Sequence, residues 1–380
     1  MMDRDSMRAF LCLNRLFEGR AGHHLRRWVE GGGVPRDLLM SPKGFSQGGF
    51  KEDIFPKASS LFSSPWADRE MERCHEIGVD LLFMGHGGYP GQLMDLKSPP
   101  AVLYVRGALR VPGSLGDGVA VVGTRRASGY ALRVARCIGE FLGSRGIWTL
   151  SGGAEGVDGA AHDGALRSGG ATCAVLGTGV DVVFPASHGE LFRRITESGC
   201  LVSEYPLGTK GAQWRFPLRN RILAALAGRT VVVEAPRRSG ALITASHALE
   251  LGREVWAVPG RIGEPPCEGS NMLIYDGALA LADIRLLDLS GGSGAADGAG
   301  EDGAGCREAS LDPVDGVILK LLAQKGERTV DNLAVECKIG AADLMSRLCV
   351  LEARGVVYSP SPGRFSLSPH APGRLRGMGC

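Results

Sequence analysis

Val119-Ala120-Val121-Val122 is apolar without alternation, stops at Gly123, and is followed after Thr124-Arg125-Arg126-Ala127-Ser128 by residues 130–142, whose apolar positions recur at helical spacing. An unbroken apolar run of this kind suits a strand covered on both faces. The unit repeats. Ile147 to Leu150 leads into Ser151-Gly152-Gly153 and a helical stretch from Gly156 to Leu166, and Ala171 to Leu176 begins again. Thr230-Val231-Val232-Val233 and Glu254 to Val258 bracket a helical stretch from Ala241 to Leu251. Alternating strand and helix predict an α/β fold with a doubly wound parallel sheet.

Outward from this core the composition shifts twice. Residues 290–310 read SGGSGAADGAGEDGAGCREAS, with almost nothing to bury, and are expected to form a flexible linker. Beyond it, residues 311–367 offer an apolar helix from Val314 to Ala323 and a second that Thr329 caps. A third, Ala341 to Ala353, places Ala341, Leu344, Leu348 and Leu351 on one face. A hairpin through Gly355–Tyr358 and Arg364–Leu367 completes the pattern of a small winged-helix domain, followed by a tail, residues 368–380. Asp343 beside Arg347 keeps the third helix from being strongly basic, so DNA reading and protein contact stay equally open for this domain. Before the core (residues 71–289), residues 1–70 suggest a small helical accessory region. Its turn Gly19-Arg20-Ala21-Gly22 reads either as a degenerate helix-hairpin-helix or as a plain connection.

At 380 residues the chain has room for two or three domains. Its 44% hydrophobic and 22% charged residues are those of a globular rather than a disordered chain. The net charge of +2 carries no argument for nucleic acid, which must come from where the charges lie. The 10 cysteines include no C-x-x-C pair, so neither a zinc site nor a redox pair is expected. No apolar run spans a membrane, and Met1-Met2-Asp3-Arg4-Asp5 lacks a signal-peptide pattern; the expected location is the cytoplasm.

Ligands of doubly wound sheets bind at the carboxyl ends of the strands. Gly123-Thr124-Arg125-Arg126-Ala127-Ser128 makes a credible phosphate clamp there, although the run is not G-x-G-x-x-G and nothing argues for a dinucleotide or any other cofactor. Ser151-Gly152 opens a second turn suited to a phosphate, and Asp158 and His162, four apart, read as a helix-stabilising pair more readily than as acid and base. Residues 210–240 carry Lys210, Arg215, Arg219, Arg221, Arg229, Arg237 and Arg238 against Glu234, interleaved with Trp214 and Phe216. Cations for phosphates and flat rings for bases suit a single strand of nucleic acid; the plain alternative is a solvated basic helix with Phe216 in the core. Ser239 and Gly240 open the next helix, with Ser239 as cap.

Read in order, VAVVGTRRASGY (119–130), SGGAEGVDGAAHDGAL (151–166), AVLGTGVDVVFP (174–185), SEYPLG (203–208), FPLRNRI (216–222), VVEAPRRSGALITASHALELGREVWAVPG (232–260) and GSNMLIYDGA (269–278) resemble the DNA-processing protein A (DprA/Smf) family. The resemblance implies an extended Rossmann-like core that binds single-stranded DNA without cleaving it, and a homodimer. It also implies partners: the recombinase RecA, which it would load, and single-strand-binding protein, which it would displace. By position it assigns DNA contacts to Gly123, Thr124, Arg125, Ser151, Gly152, Arg215, Phe216, Arg219, Asn220, Arg221, Ser239 and Gly240. Thr124 stands where the family has Ser, and Glu155 brings a negative charge beside the second turn.

Two rivals come from other classes. A nucleotide phosphoribohydrolase would need a P-G-G-x-G-T-x-x-E loop. The comparable residues, Arg238 to Thr244, lack the paired glycines, and His247 stands three positions after Thr244, with Glu250 a turn further on. A transcriptional regulator acting through the winged helix would prefer duplex DNA.

Overall fold

Strands form where the apolar runs stand. The computed structural model describes residues 2–108, 118–287, 313–337, 339–353, 357–361 and 364–367. The chain divides into two compact units, Met1–Ser293 and Gly294–Cys380.

In the first unit the strands are β1 (Val79–Phe83), β2 (Val102–Arg106), β3 (Val119–Val122), β4 (Thr149–Ser151), β5 (Thr172–Val175), β6 (Cys200–Ser203), β7 (Arg229–Val232), β8 (Glu254–Ala257) and β9 (Leu279–Ala280). The helices are α1 (Arg4–Phe17), α2 (Gly22–Glu30), α3 (Pro42–Gln47), α4 (Phe55–Ser63), α5 (Trp66–Glu76), α6 (Gly129–Ser144), α7 (Val157–Arg167), α8 (Gly189–Ser198), α9 (Arg215–Leu226), α10 (Gly240–Glu250) and α11 (Glu268–Tyr275).

The sheet order is β1-β2-β6-β5-β4-β3-β7-β8-β9. From β6 to β9 every pairing is parallel. The chain winds outward from β3 through β4, β5 and β6, then crosses to β7 and winds the other way. Strand order therefore reverses at β3, where such a sheet opens a crevice at its carboxyl ends. All four residues of β3 are buried, as a strand covered on both faces requires.

The sheet is not wholly parallel. β1 and β2 pair antiparallel with each other, and β2 runs antiparallel to β6, with Tyr104 opposite Ser203. Pairing sense is set by which edge a strand meets, and the apolar run of β2 carries no local signal for that.

The helices before the sheet are not detached from it. Phe10, Leu11, Leu13, Leu25, Leu38 and Phe45 are fully buried in one cluster with Val102, Tyr104, Ala174 and Val202. The turn between α1 and α2 is directed inward. A side chain at Gly19, where φ is +80°, would strike the Glu204 carboxylate, and one at Gly22 would strike the Pro99 carbonyl. The amides of Gly19 and Arg20 donate to the carbonyls of Asn14 and Phe17.

The second unit contains α12 (Pro313–Lys325), β10 (Arg328–Thr329), α13 (Val330–Cys337), α14 (Ala341–Ala353), β11 (Val357–Ser361) and β12 (Arg364–Leu367). Its antiparallel sheet has the order β10-β12-β11. Thr329 caps α13, accepting from the Asn332 amide at 3.3 Å. Leu344, Leu348 and Leu351 meet Ile318, Leu322 and Phe365 in its core, whereas Ala341 is exposed. Arg347 is engaged by Asp315 at 2.9 Å and Asp343 at 3.5 Å. The expected linker and the tail lie outside the described residues, as do Gly355, Val356, Pro362 and Gly363 of the hairpin.

Candidate nucleic-acid interface

At the reversal point the strand ends open into a cleft of about 640 Å³. Gly123, Thr124, Arg125 and Arg126 line it from the turn after β3, Gly152 and Ala154 from the turn after β4, and Phe216, Arg219 and Asn220 from α9. Arg238, Ser239, Gly240 and Thr244 close it from the turn after β7 and the start of α10.

An aromatic and cationic wall stands on one side. The Phe216 ring stacks on Phe184 with centroids 5.3 Å apart and planes at 28°. The Arg125 guanidinium lies 5.1 Å from the Phe216 centroid, a cation–π distance. Phe184 is 44% exposed, so its ring offers area to a planar ligand. The Phe216 ring lies against the backbone at Gly177, where a Cβ would come within 2.8 Å of it. Arg125, Arg126 and Arg238 are exposed. Among the described residues none of the three has a carboxylate within 4 Å, so their charge is directed at the cleft and solvent.

The floor is built differently. Arg219 is 4% exposed. Its Nη1 donates to the Gly152 carbonyl at 2.8 Å and also to the Val175 carbonyl, and its Nε donates to Asn220 Oδ1 at 3.1 Å. It thus ties together the ends of β4 and β5. Burial lowers its pKa to about 10, a trend that Asp158 opposes and Arg125 reinforces. Asn220 donates to the Gly240 carbonyl at 3.1 Å and so pins α9 to the start of α10. Ser239 caps α10, its hydroxyl accepting from the Ala241 amide at 3.3 Å.

The turn after β4 does not present free amides. The Asp158 carboxylate accepts from the Gly152 amide at 3.1 Å and the Ala154 amide at 3.3 Å, filling the cradle proposed for phosphate. Ser151 is fully buried and donates to the Val121 carbonyl at 2.6 Å, so it holds β4 to β3 beneath the cleft. Asp158 and His162 are not paired. His162 Nδ1 meets Thr172 Oγ1 at 2.7 Å, and that hydroxyl spends its proton on the Thr149 carbonyl. The imidazole is therefore the donor, held neutral by burial with its pKa lowered to about 3. Glu155 sits at the rim and accepts from Ser187 at 2.7 Å.

Two of the arginines expected at the cleft lie elsewhere. Arg221 points to the other side of α9 and pairs with the buried Glu204 at 2.6 Å. Arg215 donates to the Lys210 carbonyl at 2.6 Å, reaches Glu18 at 3.5 Å, and lies over Tyr205 and Trp214. Helical rotation explains Arg221, since residues 216, 219, 220 and 223 share one side and residues 214, 218 and 221 another, whereas Arg215 lies between the two and is held by Lys210 and Glu18. Phe184 and Gln213 also line the cleft and were not expected there, whereas Arg126 and Arg238 belong to the two segments expected to meet phosphate. The signal for Phe184 was present at the end of AVLGTGVDVVFP.

A family model for DNA recombination-mediator protein A matches residues 80–287, more than half of the chain. The chain belongs to the DNA recombination-mediator protein A family. The matched range begins within β1 and ends with the last described residue of the first unit, so it contains the whole cleft. Among relatives of this family, Protein Smf of Escherichia coli K12 is 42% identical over 230 residues, which is 60% of this chain and 59% of that protein. The putative DNA processing protein DprA of Mycobacterium tuberculosis is 37% identical over 277 residues, 73% of this chain and 71% of that one. The X-ray structure of DNA processing protein A from Streptococcus pneumoniae superposes with a TM-score of 0.65 at 29% identity, covering 75% of this chain and 98% of that chain. Its coverage extends the agreement in fold beyond any single motif.

Proposed function

We propose that the strand-end cleft binds single-stranded DNA without cleaving it, and that the protein, as a cytoplasmic homodimer, loads the strand onto the recombinase RecA while displacing single-strand-binding protein. The observation that carries the DNA reading is the convergence of Arg125, Phe216 and Phe184 on one wall of a cleft whose rim also holds Arg126 and Arg238. Guanidinium groups neutralise phosphates, and the rings offer stacking worth about 1–3 kcal/mol per base. A duplex keeps its base faces inside the stack, so the rings favour unpaired strands. Membership of a recombination-mediator family supports the transfer to RecA.

The non-catalytic reading rests on the polar groups of the cleft. Asp158 is buried and committed to two amides, and Thr244, which lines the cleft, has neither His247 nor Glu250 beside it there. Fluorescence anisotropy with single strands and duplexes of equal length tests the proposal. Tighter binding to single strands is expected, with log affinity falling against log salt by about 0.7 per phosphate neutralised. Equal affinity for both would overturn it, and release of free base from nucleoside monophosphates would restore the phosphoribohydrolase.

A further inference from the structure

α9 separates two clefts. One side of the helix, through Phe216, Arg219, Asn220 and Leu223, faces the strand-end cleft. Another side, through Leu218 and Arg221, faces a second cleft of about 340 Å³ whose other walls include Arg20, Lys97 and His247, Glu250 and Leu251 of α10 and its end. Trp214 stands four residues before Leu218 and seven before Arg221, on that same side. It is 44% exposed, with the Arg20 guanidinium 5.7 Å and the Arg215 guanidinium 4.9 Å from its ring. Ring and guanidinium thus repeat the pairing of Phe216 with Arg125 at a second place.

The charges of this second cleft do not cancel. Asp95 is taken by Arg253 at 3.0 Å; Glu250 lies 3.8 Å from the His247 imidazole and is paired with no Arg or Lys among the described residues, so Arg20 and Lys97 stand against one carboxylate. Arg20 and Lys97 have no carboxylate within 4 Å among the described residues. Arg221, whose charge is met by Glu204 at 2.6 Å, is 7% exposed and keeps an Nη1 without a hydrogen-bond partner among the described residues.

We infer that the second cleft takes the continuation of the same DNA strand, with a base stacked on Trp214 and its phosphates held by Arg20 and Lys97. The inference rests on the proposed DNA-binding role of the strand-end cleft and extends it to a footprint shared between the sheet and the N-terminal helices. Phe216 and Trp214 are two residues apart and face different sides of the helix start, so they serve different nucleotides.

The test compares oligothymidylates of about six and about sixteen nucleotides, within the range of site sizes known for single-strand binders. Trp214→Ala and Lys97→Glu, both at exposed or rim positions, are expected to weaken binding of the long strand about tenfold and leave the short strand unchanged, the size of loss that one stacked base supplies. Arg125→Ala is expected to weaken both. If Trp214→Ala and Lys97→Glu change neither strand, or change both equally, the second cleft is not part of the path. If Arg125→Ala also changes neither, or the wild-type protein binds no single strand, the strand-end reading fails with it.

Discussion

Arg221 Nη2 lies 2.6 Å from Glu204 Oε2, and the carboxylate has no exposure to solvent. The pair joins α9 to the strand end after β6. Arg221 also donates to the Gly19 carbonyl at 3.3 Å, so the turn between α1 and α2 shares the same guanidinium. Burial pushes the Glu204 carboxyl up, and Arg221 pulls it back toward the charged form. Removing one partner leaves the other buried and uncompensated, which costs about 3–5 kcal/mol. Arg221→Ala should therefore lower stability by that order in urea unfolding. In a double-mutant cycle with Glu204→Gln the second substitution should restore part of the loss. Additive effects would show that the pair does not interact.

Arg219 is expected to behave as a framework residue rather than as a surface cation. Its guanidinium satisfies the carbonyls of Gly152 and Val175, which Arg219→Ala would leave without that donor. Unsatisfied buried polar groups cost about 1–3 kcal/mol each. A clear fall in melting temperature is the expected result, whereas an unchanged melting temperature with weakened DNA binding would return Arg219 to the role of a phosphate contact.

Arg125, Arg126 and Arg238 should show the reverse. Each is exposed and lines the cleft, so replacement by Ala should leave the melting temperature unaltered. Each should also reduce the slope of log affinity against log salt by about 0.7. A titration series from low to high salt reads this directly. A slope that stays constant in the triple variant would remove these groups from the phosphate path.

Gly177 sets the position of the Phe216 ring. A Cβ there would lie 2.8 Å from Cδ1 and 3.1 Å from Cε1 of the ring. Gly177→Ala should push the ring off its stack with Phe184 and weaken single-strand binding by several-fold, within the roughly 1–3 kcal/mol of a stacked base. Wild-type affinity in the folded variant would mean that the stack is not used.

His162 makes stability depend on pH. Burial lowers its pKa from the model-peptide value of 6.5 to about 3, so the unfolded chain binds the proton more readily than the folded one. The contribution is complete above about pH 6.5 and is lost as pH falls from there toward about 3. Urea unfolding at intervals between pH 7 and pH 4 should show this decline. His162→Gln should reduce its slope by about one proton. The same slope in the variant would assign the decline to other groups.

Much of the site could be read from the chain because it sits at strand ends. Gly123, Thr124 and Arg125 follow a four-residue apolar strand, and in a doubly wound sheet such positions converge whatever the intervening sequence. α9 was harder to read. Arg219 to Leu226 are all buried, so a segment whose cations suggest a solvated face lies largely inside the protein. Its partners, the turn at Gly19 and the carboxylate of Glu204, stand 202 and 17 positions away respectively, and no local pattern announces them. Phe184, Arg126 and Arg238 needed three separate turns to meet.

The order of apolar runs and helical stretches by itself determined the doubly wound core, because strands buried on both faces and helices amphipathic on one leave a period that local sequence carries. Tertiary structure alone decided the antiparallel strands at the sheet edge, which arginines face the cleft and which are spent on carbonyls or on Glu204. Those outcomes depend on the rotation of α9 against elements distant in sequence, and burial, not residue type, determines whether a guanidinium is free to meet a phosphate.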